Sequence, residues 1–308
     1  MNKIELISRS GISLERLRVF LQIADAGSMA EAAPDDPVRQ SQFSRQLKEL
    51  ESAFGAPLTR RDGRRVRLND NGKRLATILR TFSADMAGLQ AMMHSDPIAF
   101  SIVAGQSVLD LLVAPRLAAA MKPLRANRLD LLPGRTREAI AGLEDGKWDL
   151  GIVRADAVPD RMPSLPLGQL DYRLFFPKRF GAMPDAKDRK SAAWLAKLPL
   201  AMVAGEGRLR SALDDAFLRA GVKPKIISET GSLLQSATLV RAGHAAAILP
   251  TLMATEFDAS SVDSTELDML KAVHRPLVLV WNERSMERSG CELHQLQAVA
   301  AALAISPG

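Results

Sequence analysis

The stretch LRVFLQIADAGSMAEAAPDDPVRQSQFSRQLKELESAFGAPLTRRDGRRVRLNDNG, residues 17–72, alternates short helical patterns with turn residues. Just before it, Ser13 is a suitable N-cap for a first helix, which ends at Gly27. Ser28 is a suitable N-cap for a second helix. Pro34 stops that helix, because proline disfavours α conformation in the residue before it. These patterns predict two helices, and the two acids and Pro37 that follow Pro34 predict a tight connection to the next helix.

A third helix and a hairpin complete the stretch. Apolar residues recur at helical spacing over about 40–54 and predict one buried helix face. The segment RRDGRRVRL then carries an Asp-Gly turn signal between alternating polar and apolar residues, which predicts a two-stranded wing. Together these elements predict a winged helix-turn-helix over residues 12–70, whose third helix docks in the major groove of DNA. A plain helical bundle is the alternative.

Positive charge is concentrated in this domain. The chain has 308 residues and a formal net charge of +6. Residues 39–74 alone hold ten basic and four acidic residues, an excess equal to that of the whole chain. A solvated charged face is the general explanation of such a run, but within a helix-turn-helix it favours a surface that binds phosphates.

A long linker helix is predicted over residues 71–94. Its apolar residues step by four and by three, which is the heptad pattern of a coiled coil. These residues are Leu75, Leu79, Phe82, Met86, Leu89 and Met93. The pattern predicts a dimer interface, and packing of the helix on its own domain is the alternative.

Beyond Pro97 the pattern changes, and short apolar strands alternate with amphipathic helices in two successive series. The β-α-β-α-β order of the first series predicts a parallel sheet with flanking helices. We therefore expect an α+β multidomain protein, whose residues 97–308 form a two-lobed α/β effector domain like that of the periplasmic binding proteins. Lobe 1 is predicted over about 97–168 and 274–308, and lobe 2 over about 169–273.

Other classes of protein find little support. The four histidines are scattered, and the chain has no P-loop, nucleophile elbow or GxGxxG motif, so we expect no enzyme, no metal and no cofactor. Cys291 is the only cysteine, which excludes an internal disulfide. The sequence shows neither an 18-residue apolar run nor a signal-peptide pattern, so we expect a cytoplasmic protein without a membrane partner. A cytoplasmic solute-binding protein is an alternative that the N-terminal 94 residues disfavour.

Residues 17–72 resemble the DNA-binding region of the LysR-type transcriptional regulators without gaps. The matching residues include Leu17, Phe20, Ala24, Gly27, Ser28, Ala32, Ala33, Gln40, Ser44, Arg45, Gln46, Leu50, Glu51, Gly55, Pro57, Leu58, Arg61 and Gly72. The segments GLEDGKWDLGIV and LVRAGHAAAILP resemble the effector domain of that family more loosely. The resemblance implies a homodimer or homotetramer that binds double-stranded DNA and responds to a small-molecule effector.

The resemblance also implies roles for single residues. Base reading is expected from Arg39, Gln40, Ser41, Gln42 and Arg45. Phosphate contacts are expected from Ser28, Ser44, Arg61, Arg64 and Arg65. This chain departs from the family at Pro34-Asp35-Asp36-Pro37, where the family continues its second helix. Because two carboxylates there would repel phosphates, a regulator with weakened or lost DNA binding is an alternative.

The effector site is expected between the two lobes. In open α/β sheets, ligands bind beyond the carboxyl ends of the strands, where helices begin. Ser107 and Thr136 occupy such positions, and simple helix capping is an equal alternative for both. Arginines near lobe 1 favour an anionic effector; they are Arg135, Arg137 and Arg154. The predicted effector contacts are Gln106, Ser107, Thr136, Gly205 and Thr230.

Overall fold

The computed structural model describes residues 11–62, 65–94, 99–182, 190–205 and 207–305. The chain forms an N-terminal head, a long linker helix and an α/β domain built on two five-stranded sheets. Among the helices of these described residues, none has the length and apolar character that a membrane span requires.

The head is a winged helix-turn-helix, as the sequence predicts. Its elements are α1 (Leu14–Ala26), α2 (Met29–Ala32), α3 (Pro37–Phe54), β1 (Thr59–Asp62) and β2 (Arg65–Leu68). The side chain of Ser13 caps α1 by accepting from the backbone N–H of Arg16, and Gly27 ends the helix with a φ of +83°. Phe20, Leu47 and Leu50 form the centre of a core that these elements share.

The third helix begins three residues earlier than predicted. Pro37 is its first residue, where the missing N–H of proline costs no hydrogen bond. Asp36 is the N-cap, and its carboxylate accepts from the backbone N–H of Arg39 at 2.9 Å. The tight turn before it places Asp35 at a φ of +57°. The four residues 34–37 therefore act as a turn and a helix cap, and α2 is only four residues long.

The wing is anchored to α3 by one carboxylate. Glu51 accepts from the backbone N–H of Leu58 at 2.8 Å and from the backbone and hydroxyl of Thr59 at 3.1 and 3.0 Å. The linker helix starts directly against this segment, because a Cβ on Gly72 would lie 2.1 Å from the carbonyl oxygen of Leu58. Only glycine fits there, so the wing and the linker helix are closely packed.

The linker helix α4 (Asp70–His94) leaves only part of the predicted dimer seam available to a second copy of the chain. Leu79 is buried in the core of the head and Leu75 packs against that core, so the head itself covers the first two residues of the apolar stripe. Phe82 and Met86 continue the stripe beyond the head and are exposed. The side chains of Leu89 and Met93, the last two predicted seam residues, lie outside the described part of the chain.

The helices and strands of the α/β domain follow one another in chain order. The elements are β3 (Ala99–Ala104), α5 (Gln106–Val108), α6 (Leu117–Leu124), β4 (Arg128–Pro133), α7 (Thr136–Glu144), β5 (Leu150–Arg154), β6 (Ser164–Leu170), β7 (Tyr172–Pro177), α8 (Lys190–Lys197), β8 (Pro199–Val203), α9 (Arg208–Arg219), β9 (Lys225–Thr230), α10 (Leu233–Arg241), β10 (Ala246–Pro250), β11 (Val262–Thr265), β12 (Arg275–Trp281), α11 (Glu283–Ser289) and α12 (Leu293–Ala302). A π-helical and a 3₁₀ turn fill residues 109–116 between α5 and α6.

The two sheets are mixed rather than purely parallel. Their strand orders are β4-β3-β5-β12-β6 in lobe 1 and β11-β7-β10-β8-β9 in lobe 2. The βαβ units are parallel as predicted, but β12 runs antiparallel to β5 and β6, and β7 runs antiparallel to β10 and β11. The chain leaves lobe 1 after β6, near Asp171, continues in lobe 2 with β7, and returns to lobe 1 as β12.

One large apolar cluster extends through both lobes. It includes Ile102 and Leu150 in lobe 1 and Leu174 and Leu249 in lobe 2, all of them fully buried. Each such side chain contributes about 1.5–3 kcal/mol by leaving water. A continuous apolar core therefore joins the two lobes.

Candidate DNA interface and effector cleft

The outer face of α3 is polar, basic and exposed. Ser41, Gln42, Arg45 and Lys48 are exposed, opposite the buried side of the helix. The buried residues are Phe43, Leu47, Leu50 and Ala53. The Arg45 side chain is 75% exposed, and its Nε lies 3.9 Å from Glu49. This face has the donors and acceptors that read base edges in the major groove.

The start of α3 adds two exposed side chains to this face. Arg39 is exposed, and its guanidinium lies 5.3 Å from the centre of the Phe43 ring. Val38 is 69% exposed, although the sequence analysis did not single it out. An apolar residue inside an otherwise polar helix start is the signal that could have identified it. Its methyl groups suit contact with a thymine methyl.

Two predicted DNA contacts are instead held within the head. Ser28 is buried, and its hydroxyl caps α2 by accepting from the backbone N–H of Glu31 at 3.2 Å and donating to that carboxylate at 2.9 Å. The side-chain amide of Gln40 donates to the carbonyl of Ala33 at 2.8 Å. Both polar groups already have partners in the chain, so we reassign Ser28 to capping α2 and Gln40 to joining α3 to the end of α2.

The wing presents arginines on both strands. Arg60 and Arg67 are exposed on the paired strands β1 and β2. Arg61 and Arg65 lie on these strands, but their side chains are outside the described part, and Arg64 lies outside the described residues altogether. The phosphate contacts of these arginines, and of the half-buried Ser44, stay predictions.

The acidic cap of α3 leads to a test of DNA affinity. Asp36→Asn is expected to strengthen binding to duplex DNA by roughly fivefold at low salt, since one carboxylate about 4 Å from a phosphate costs about 1 kcal/mol. Asparagine is an equally good N-cap, so only the charge changes. Fluorescence anisotropy at several salt concentrations measures this gain, which salt should screen away.

Asp36→Ala is the matched control, since it removes the charge and the cap together. It should cost about 1 kcal/mol of head stability, which Asp36→Asn should not. Unchanged affinity of Asp36→Asn at low salt would mean that this carboxylate lies away from the DNA backbone.

The predicted effector contacts of lobe 1 lie at one edge of its sheet. The parallel strands β3 and β4 end there, and α5 and α7 begin there. Ser107 is half-buried in α5, and Thr136 is the half-buried first residue of α7. Neither is an N-cap, because Gly105 and Arg135 hold those positions. The simple capping explanation is therefore wrong for both hydroxyls.

The remaining predicted effector contacts differ in their exposure and in the partners that their polar groups already have. Gln106 is exposed, and its amide donates to Asp110 at 2.8 Å. Gly205 is exposed in lobe 2 at a φ of +93°. Thr230 is buried, and its hydroxyl lies 2.7 Å from that of Ser236 and 3.1 Å from the backbone carbonyl oxygen of Ser232. We withdraw Thr230 as an effector contact, because its hydroxyl serves the internal packing of lobe 2.

The linker helix joins the head to lobe 1 through a polar junction. Arg80 is mostly buried, and its Nη2 binds Asp25 at the end of α1 at 2.7 Å. Its Nη1 lies 3.8 Å from Asp145 at the end of α7, which also accepts from the hydroxyl of Thr77 at 3.3 Å. One arginine therefore contacts carboxylates of the head and of lobe 1 together.

Comparisons with known proteins agree with this geometry. Residues 14–73 match the family model described as bacterial regulatory helix-turn-helix protein, lysR family, and residues 99–300 match the LysR substrate binding domain. The chain is similar to the "Probable hydrogen peroxide-inducible genes activator" of Mycobacterium leprae (strain TN), with 28% identity over 247 residues that cover 76% of each protein.

Solved structures show the same fold over nearly the whole chain. CbnR, described as a LysR family transcriptional regulator, matches with a TM-score of 0.59 and 20% identity, covering 96% of this chain and 100% of that one. Full-length CbnR complexed with its target DNA matches with a TM-score of 0.58 and 20% identity, covering 94% and 100%. With both of its domain models matched, this chain belongs to the LysR family of bacterial transcriptional regulators.

Proposed function

We propose that this regulator recognises a specific duplex sequence with α3, contacts the flanking phosphates with its wing, and changes its DNA affinity when an effector binds between the lobes. The exposed face Ser41, Gln42 and Arg45 of α3 is the observation that carries the proposal. The structure of CbnR with its target DNA supports it, because that protein shares the fold of this chain. Side chains with amide and guanidinium groups at the start of a recognition helix can distinguish base pairs.

We propose that the regulator works as a homodimer or homotetramer. Phe82 and Met86 form an exposed apolar stripe on α4 that a second copy of the helix would bury. A two-fold axis between two heads would present two copies of α3 to an inverted repeat in the DNA. Since DNA is the partner, we place the regulator in the cytoplasm.

The effector is proposed to act through the junction on α4. A small molecule near Ser107 and Thr136 that prefers one arrangement of the lobes shifts the population toward that arrangement. Arg80 contacts both the head and lobe 1, so a movement of α7 is transmitted to α1. The coupling is reciprocal: DNA must change the affinity for the effector by the same factor.

The name of the mycobacterial relative mentions hydrogen peroxide, but we do not propose a response to peroxide for this chain. Cys291 is the only cysteine of the chain, and burial raises the pKa of its thiol. A raised pKa lowers the fraction of the reactive thiolate. We propose instead that the regulator senses a bound small molecule and carries out no catalysis itself.

Selection of duplexes from a random pool by the full-length protein tests the proposal. We expect one enriched motif arranged as an inverted repeat. The logarithm of its binding constant should fall with the logarithm of salt concentration by about 0.9 for each phosphate contact. If the intact protein enriches no sequence and binds no duplex at low salt, the function proposed for α3 is wrong.

A further inference from the structure

An ion pair joins the two lobes across the cleft. Asp156 lies just after β5 in lobe 1, and Arg208 is the first residue of α9 in lobe 2. Nη1 of Arg208 lies 2.8 Å from Oδ2 of Asp156, while Nε of Arg154, at the end of β5, lies 3.3 Å from Oδ1. One carboxylate thus binds an arginine from each lobe where the carboxyl ends of both sheets meet.

A third arginine lies beside the first. β12 pairs antiparallel with β5 so that Leu277 is opposite Arg154. Arg275, two residues before Leu277, is therefore on the same face of the sheet as Arg154. Arg275 forms no ion pair within the described part of the chain. Three guanidinium groups are gathered here, and within the described part of the chain Asp156 is the carboxylate that binds two of them.

The charges around Arg154 are poorly balanced. Burial lowers the pKa of this guanidinium, the carboxylate of Asp156 raises it, and the neighbouring positive charges of Arg208 and Arg275 lower it further. The Arg154 side chain is only 20% exposed, so few water molecules can compensate for these repulsions. A second anion at this place would relieve them.

A buried hydroxyl in the same place lacks a partner. Tyr172 is the first residue of β7, where the chain has just crossed from lobe 1, and its ring centre lies 6.0 Å from the guanidinium carbon of Arg275. The ring is almost fully buried, and its hydroxyl has no hydrogen-bond partner among the described residues. Buried polar groups nearly always have such a partner, so this hydroxyl is a buried donor without an acceptor beside Arg275.

The contact between the lobes can be exchanged at little cost. The side chains of Asp156 and Arg208 are 60% and 70% exposed, and exposed ion pairs contribute little to stability. Guanidinium groups bind carboxylates in a planar, two-point geometry. The carboxylate of a ligand has the same shape and charge as the carboxylate of Asp156 that now occupies this place. An incoming carboxylate can therefore take over these contacts.

We propose that Arg154, Arg208 and Arg275 form an anion subsite in the cleft, that its ligand is a small organic acid, and that the ligand's carboxylate replaces Asp156 between the lobes. This inference rests on the proposed function, because it identifies the chemical class of the effector. It also explains how binding is sensed, because the ligand breaks the ion pair between the lobes and replaces it with contacts of its own.

Titration of the full-length protein with acetate, succinate and citrate tests the proposal, with the neutral diamide succinamide and inorganic sulfate as probes of charge and shape. We expect at least one carboxylate to bind, measured by calorimetry and thermal stability, and succinamide not to bind. Asp156→Asn should tighten carboxylate binding, because it removes the competing group. Arg154→Gln and Arg208→Gln should each weaken it by roughly tenfold or more.

Two variants distinguish a loss of carboxylate binding from a folding defect. Arg208 is exposed, so its replacement opens no core. Arg161→Gln is the matched control, because it breaks an ion pair with Glu144 at the opposite edge of lobe 1 and should leave carboxylate binding unchanged. Circular dichroism of each variant should match that of the parent protein.

The outcomes separate this inference from the proposed function. Equal binding of sulfate and the carboxylates would contradict an organic-acid ligand. Carboxylate binding that survives Arg154→Gln and Arg208→Gln, or no binding to the parent and to Asp156→Asn at millimolar concentration, would overturn the anion subsite and leave DNA recognition untouched. Failure of DNA selection, in contrast, would leave the measured carboxylate binding intact.

Discussion

Replacing Arg45 with alanine is expected to weaken binding to the selected duplex by roughly five- to a hundredfold. A bidentate contact from arginine to a guanine edge discriminates against the wrong base by about 1–3 kcal/mol. Arg45 is 75% exposed on the outer face of α3, and its nearest carboxylate, on Glu49, is 3.9 Å away. The guanidinium of Arg45 is therefore available to contact DNA. Fluorescence anisotropy with the selected duplex and with variants at each base pair measures the loss.

Two further variants show whether Arg45 reads bases or only contributes charge. Arg45→Lys keeps the charge but loses the planar fork, so it should not restore the preference at the affected base pair. Lys48→Ala, on the same exposed face, should weaken all duplexes alike and reduce the salt slope by about 0.9. Unchanged affinity and preference in Arg45→Ala would contradict the assignment of α3 as the recognition helix.

Phe82→Asp is expected to raise the dissociation constant of the dimer by roughly a hundredfold or more. Phe82 and Met86 are 48% and 53% exposed, and Ile78, one turn earlier, is 62% exposed. A partner helix would bury this stripe, and each buried side chain is worth about 1.5–3 kcal/mol in each of the two copies. A charge at the centre of the interface removes that gain twice. Sedimentation velocity across a dilution series measures the shift toward monomer.

Leu218→Asp provides the control for this substitution. Leu218 lies near the end of α9 in lobe 2, is 79% exposed, and receives the same change of an apolar residue to an acid. It should leave the oligomer intact. The Phe82→Asp protein should also lose cooperative binding to the inverted repeat, since single heads bind half-sites independently. An undisturbed oligomer in Phe82→Asp would show that copies of this chain assemble through another surface.

The amino-acid sequence was sufficient for the helices, the wing and the family. Caps such as Ser13, terminators such as Gly27 and the apolar spacing in α3 act within a few residues, so their effect can be judged from local sequence. The Asp36 cap was the local signal that the sequence analysis missed, and it moved the start of α3 to Pro37. The basic wing and the two series of strands and helices were likewise recognisable from local patterns.

Tertiary structure alone decided which of these side chains are available to a partner. Leu75 and Leu79 fit the same heptad pattern as Phe82, but the head covers the first two and leaves Phe82 exposed. Thr230 lost its predicted role to a neighbour within its own lobe.

The pairing of Asp156 with Arg208 also depends on tertiary structure, because the two residues lie 52 positions apart in the chain. The direction of β12 also depends on distant segments, since the chain passes through lobe 2 before β12 enters the sheet of lobe 1. Local sequence determines how a segment folds, because hydrogen bonds and caps act over a few residues. Burial and ion pairing depend on which distant segments meet, and the packed chain alone determines that.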